Sequence, residues 1–194
     1  MPCCKRLLSA FLIFMLFSAT AYADGIEVNK AEIRSSEDGY QITADFDVTF
    51  SYQVQQALSL GVPLYFVGEF SLTRSRWYWL DEQVFQSEQT VKLSYNVLTR
   101  QYRISRGALF QNFASFDDMM RILSRQNSTY IPAEAIRKDG SYIAAVRLHL
   151  DTKQLPKLMQ VNALTSKDWD LDSGWYRWVM PALDTASRKA GKSE

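Results

Sequence analysis

Residues 61–80, GVPLYFVGEFSLTRSRWYWL, decide how this chain is read. Pro63 has no N–H to give to a ladder, so it belongs at the beginning of a strand and not inside one. Beyond it, Leu64, Phe66, Phe70 and Leu72 fall on one side of a two-residue period, with Tyr65, Val67, Glu69, Ser71 and Thr73 on the other. That alternation predicts a long strand with one wholly buried face. Arg74, Arg76 and the aromatic run Trp77-Tyr78-Trp79 follow it directly.

Upstream, residues 40–50 alternate most cleanly, with Tyr40, Ile42, Ala44, Phe46, Val48 and Phe50 on one face and Asp45 and Asp47 on the other. One face is expected in the core and the other in water. Exposed carboxylates are ordinary, so Asp45 and Asp47 read as a solvated face, not a catalytic pair. Residues 26–33 predict a first strand, joined to this one through a turn containing Asp38-Gly39. Between the two clean strands, Val54, Ala57 and Leu58 recur at helical spacing, and Gly61 stands where a helix should stop.

Downstream, Asp81 and Glu82 predict a turn, and 90–97 with 101–105 a hairpin carrying Lys92, Arg100, Arg103 and Arg106. Ser115 is placed to cap a second helix that ends near Arg125, with Asp117 and Asp118 at its positive end. A short strand is expected over 128–131, a strong one over 141–150 with Arg147 and His149 outward, and a last one over 159–164. The sum is an all-β chain: an antiparallel two-sheet sandwich with two short helices, for which an immunoglobulin-like topology is one arrangement.

The first 23 residues carry an address. Lys5 and Arg6, the apolar run 7–17 and Ala21-Tyr22-Ala23 follow the plan of a secretory signal, with cleavage expected before Asp24. The competing reading is an uncleaved N-terminal anchor in the inner membrane. Both cysteines, Cys3 and Cys4, lie in this leader, so the exported chain would fold without disulfides. Residues 24–183 are expected to form one domain, and 184–194 a flexible tail.

The whole chain holds 22 Lys and Arg against 21 Asp and Glu. Losing Lys5 and Arg6 with the leader leaves 20 bases against 21 acids. Such a balance lacks the positive field of a nucleic-acid binder. One histidine and no mature cysteine argue against a metal site. No phosphate loop, G-x-S-x-G elbow or dinucleotide fingerprint is present, so no cofactor is expected and the chain reads as non-enzymatic.

The tryptophans fall in two groups, Trp77 with Trp79, and Trp169 with Trp175 and Trp178. Stacking platforms for carbohydrate or a cell-envelope polymer are one reading, and mutual packing at one end of the sandwich is the other. The arginines Arg74, Arg76, Arg100, Arg103 and Arg106 suit anionic headgroups at a membrane surface, an acidic partner or a solvated edge. Arg74, Arg76, Trp77, Tyr78 and Trp79 together form the candidate partner-binding patch.

Several phrases resemble one family: GVPLYFVGEF at 61–70, RWYW at 76–79, LSYNVLTRQYRIS at 93–105, AAVRLHLDTKQLPKLMQVNAL at 144–164 and DWDLDSGW at 168–175. They are similar to the exported Gram-negative proteins grouped as domain of unknown function 4390. The resemblance implies a periplasmic location and, through frequent gene neighbourhood, a link to a membrane sensor histidine kinase. It implies no activity and no catalytic residue.

Overall fold

A computed structural model describes residues 25–36, 39–75, 81–128, 130–137 and 140–180. The leader, the C-terminal tail and Arg76, Trp77, Tyr78 and Trp79 lie outside the described residues.

Strand β1 (Gly25–Ser36) pairs antiparallel with β2 (Gly39–Thr49). In β1 the apolar residues Ile26, Val28, Ala31 and Ile33 do not keep a strict two-residue period. The register shows why: Val28 pairs with Phe46 and Lys30 with Asp45, which leaves Asn29 as a bulge. One extra residue restores Ala31 and Ile33 to the face that Ile26 and Val28 occupy. Helix α1 (Tyr52–Ser59) begins at Ser51, whose hydroxyl accepts the Val54 N–H at 3.3 Å. It stops as expected at Gly61, which takes a φ of 88° while the Val62 N–H returns to the Ala57 carbonyl at 3.0 Å.

The quoted stretch supplies β3 (Leu64–Arg74), paired on one edge with β4 (Glu82–Asn96) and on the other with β9 (Tyr142–Leu150). Leu64, Phe66, Phe70 and Leu72 are all buried. A meander continues from β4 through β5 (Gln101–Arg106) to β6 (Leu109–Phe113). Beyond β9 lies β10 (Tyr176–Val179), giving a six-strand order β10-β9-β3-β4-β5-β6. The second sheet runs β1-β2-β7, with β7 (Arg125–Asn127) and β8 (Ile131–Pro132) both on the free edge of β2. Buried residues of both sheets join one core, into which α2 (Phe116–Ser124) sends Met119, Met120 and Leu123.

Ten strands among the described residues thus form a two-sheet antiparallel sandwich. An immunoglobulin domain divides seven strands four and three. Here six strands face four, and β3 to β6 follow one another as a meander, so the likeness stops at the architecture.

Four local expectations need correction. Glu82 is no turn but the first residue of a fifteen-residue strand. The polar run Gln86-Ser87-Glu88-Gln89-Thr90 hides it, because only β3 hydrogen-bonds to that half and its other edge is wet. Strand β6 was not anticipated, being exposed over most of its length. The strand expected over 128–131 is described as two pieces: Ser128 donates its N–H to the Ile42 carbonyl at 2.8 Å while its hydroxyl accepts the Ile42 N–H at 3.0 Å, and Ile131, in β8, pairs with Tyr40. The strand expected over 159–164 is a third helix, α3 (Lys157–Thr165).

Gly39 sets the hairpin between β1 and β2 against β8. Its φ is 144°, and a Cβ there would overlap the Ile131 carbonyl oxygen. Replacing it with alanine combines backbone strain with a clash against immovable backbone, so Gly39→Ala should lose about 2–3 kcal/mol in urea unfolding. Gly25→Ala, with nothing within 4 Å of the added Cβ, should be near neutral in the same assay.

Candidate functional site

The sequence-derived patch is described only at Arg74. This last residue of β3 forms an ion pair with Glu82 of β4, and its side chain is 19% exposed. The four described arginines of that set, Arg74, Arg100, Arg103 and Arg106, are not gathered into one basic surface. Arg103 donates to Asn112 Oδ1 at 2.8 Å and lies over the Phe110 ring at 4.6 Å. Arg106 donates to the Ile122 carbonyl at 3.3 Å, and burial lowers its pKa. Arg100 is exposed in the β4–β5 turn, at the opposite end of the sheet from Arg74.

The C-terminal tryptophans are divided too. Trp169 is buried in the core, whereas Trp175 is half-buried with the Arg177 guanidinium 5.7 Å from its ring centre. Trp178 packs partly on the core beside Tyr176. Whether Trp77 and Trp79 pack on them falls outside the described residues.

Two other features stand out. The first is a charged array on the outer face of the six-stranded sheet. Glu69 of β3 lies opposite Arg147 of β9 in the register, and Arg147 Nη1 is 3.4 Å from Glu69 Oε1. The same guanidinium grips Asp172 in a fork, Nε to Oδ1 at 2.9 Å and Nη2 to Oδ2 at 2.5 Å. Asp172 Oδ1 also accepts the Gly174 N–H at 2.8 Å. The Arg147 hydrogen bonds hold the Asp172 carboxyl below its ordinary pKa, and the same bonds raise that of Arg147.

His149 completes the array. Its Nδ1 lies 3.3 Å from Glu69 Oε1, within ion-pair distance but without the alignment of a hydrogen bond. Backbone bonds run alongside: Leu150 N–H to the Leu171 carbonyl at 2.8 Å, and Ser173 N–H to the Leu148 carbonyl at 3.0 Å. The array therefore straps residues 171–174 to β9, extending the edge that β10 begins. Among the described residues no group of His, Cys, Asp and Glu is disposed to hold a metal.

The second feature is an apolar end of the sandwich. The start of β3, the β4–β5 turn, the end of β9, α1 and α3 all lie there. Seven of the twelve large apolar side chains exposed among the described residues belong to it: Tyr52, Leu60, Val97, Leu98, Leu158, Val161 and Leu164. Leu158, Val161 and Leu164 form a stripe on α3 and are 88%, 65% and 84% exposed. Met159 and Ala163 turn the other way and pack on the core.

The pattern that defines a domain of unknown function, DUF4390, matches residues 23–179. The chain belongs to this family. No curated protein and no solved structure matches it. The family description assigns no chemistry, so the DUF4390 surface must be read from its own residues.

Sequence reasoning placed Arg147 and His149 outward on their strand but had no means of pairing them with Glu69 and Asp172. It missed the α3 stripe altogether. The available signal was Pro156 just before a run, 157–165, that holds five apolar side chains and no acid.

The strap has a measurable pH signature. Hydrogen bonds to charged groups contribute about 1.5–3 kcal/mol, so Asp172→Asn should lose about that much at pH 7 in urea unfolding. The folded pKa of Asp172 is depressed, so its contribution is complete above the unfolded value and lost as pH falls through the folded one. The gap between the two proteins should therefore begin to narrow near about pH 4 and close in stronger acid. An unchanged gap at pH 7 and pH 3 would rule out the ionised fork as its source.

Proposed function

We propose that this DUF4390 domain is a non-enzymatic interaction module of the bacterial cell envelope, docking through the apolar end of its sandwich. One observation carries the reading: Leu158, Val161 and Leu164 stand in solvent on a helix whose other side, Met159 and Ala163, packs half-buried against the core. Contiguous exposed apolar surface on a folded domain marks a place of contact. The leader, with its basic start, apolar run and small-residue cleavage site, supports export. A membrane sensor histidine kinase is the partner class that the family resemblance implies.

Charge chemistry supports docking over catalysis. In the outer-face array Glu69 and Asp172 are engaged by Arg147, and the Ser173 hydroxyl in the same strap is occupied, accepting the Leu148 N–H at 3.0 Å and donating to the Gly174 carbonyl at 2.9 Å. Carbohydrate stacking is the weaker reading for the C-terminal tryptophans, since Trp169 is in the core and Arg177 lies over Trp175.

A photo-crosslinking residue placed singly at positions 158, 161, 164, 77, 79 and 88 in growing cells tests the assignment. Adducts at 158, 161 and 164, with none at the exposed control position 88, are expected. Adducts confined to 77 and 79 would move the contact to the segment between β3 and β4, and none at any position would remove the docking reading.

A further inference from the structure

We propose that α3 is the element by which this protein lies against an anionic lipid bilayer. The inference rests on the docking reading above and names the occupant of that surface.

Charge is the first argument. Between positions 152 and 167 the chain has Lys153, Lys157 and Lys167, all exposed, and no acid. The acids stand outside it, at its borders, and keep their charge: Asp151 accepts the Lys153 N–H at 3.1 Å and the Gln154 side chain at 2.8 Å, and Asp168 Oδ2 accepts the Ser166 hydroxyl at 2.6 Å. Asp170 is the exposed acid beyond them. Lysines flanking a leucine- and valine-bearing helix face match a bilayer surface, with phosphates at headgroup level and acyl chains beneath.

The path of the chain is the second. Gly25 pairs with Thr49 at the start of β1. Two residues after Thr49, the Ser51 hydroxyl donates to the Asp168 carbonyl at 3.2 Å, in the 3-10 turn Lys167–Trp169 that follows α3. Gly25, the residue to which 1–24 and their apolar run 7–17 are joined, therefore stands at the end of the sandwich that holds the C-terminal end of α3. If that segment is retained in a membrane, α3 is the helix brought to its surface.

A second copy of the chain fits the stripe less well. A two-fold contact through α3 would set like-charged lysines against one another, and three apolar side chains fall short of the roughly 1,200 Å² of a stable interface. A shallow apolar contact with a few lysines suffices for a tethered surface, where effective concentration replaces affinity.

The test uses the full 194-residue chain with Cys3 and Cys4 replaced by serine and one cysteine introduced at 158, 161, 164 or 88, each carrying a polarity-sensitive fluorophore. It is reconstituted with vesicles of phosphatidylglycerol and phosphatidylethanolamine, or of phosphatidylcholine alone, with and without a quencher on the acyl chain. Blue-shifted, quenched emission at 158, 161 and 164 on the anionic vesicles, with position 88 unaffected, is expected. Lys153→Gln and Lys157→Gln should each reduce the docked-to-undocked ratio about fivefold.

Equal quenching on phosphatidylcholine overturns the anionic assignment. A blue shift that needs no vesicles and grows with protein concentration identifies a second copy and overturns the bilayer. Absence of lipid quenching, while crosslinks to a protein form in cells at the same three positions, overturns the bilayer and leaves docking intact. Absence of both removes the two readings together.

Discussion

Strand β3 is hydrogen-bonded along both edges, and the remainder of the fold is set by that constraint. Its register runs from Leu64 to Arg74 against β4 and from Phe66 to Arg74 against β9. A strand so held has only its two faces left to differ. A slip of one residue would carry Phe66 and Phe70 out of the core and Glu69 into it. The register that seals the interior therefore also places Glu69 opposite Arg147. Core packing and the outer-face strap are consequences of the same pairing.

Wherever burial follows a two-residue period, the fold was legible. In β9 the residues read as inward, Tyr142, Ala144, Val146, Leu148 and Leu150, are all buried. The helix cap at Ser115 was legible because a short hydroxyl side chain before an apolar run does one local thing; the cap at Ser51 was not read from the sequence. At Ser115 the hydroxyl does accept the Asp118 N–H, although the Asp118 carboxylate turns to Arg121 and does not close a capping box. Illegible parts were those whose state is decided elsewhere in the fold. Residues 159–164 alternate like a strand, but β9, the nearest candidate to pair with them, already has β3 on one edge and β10 on the other. With no ladder to join, the segment coils after Pro156.

The candidate surface was legible only in part, for a related reason. Composition shows that Leu158, Val161 and Leu164 are apolar, but exposure is a property of what covers a helix, and the sequence does not carry it. The charged array escaped for want of distance information: Glu69 and Asp172 are separated by about a hundred positions, joined only through β9. Arg74 and Arg100 are dispersed because successive strands run in opposite directions, so neighbours in sequence arrive at different ends.

The strand directions also fix where the chain departs. Met180 donates its N–H to the Tyr142 carbonyl at 2.8 Å, beside the far end of β3, whereas Gly25 enters beside the α1–α3 end. An eleven-residue strand spans about 33 Å at its usual rise, so entrance and exit are separated by roughly the length of the sandwich. A domain seated by its entrance stands upright like a post. Ser75 and Met180, which bond to Ser141 and Tyr142 at the far end of the sheet, would then be held aloft, away from the ground on which the post stands.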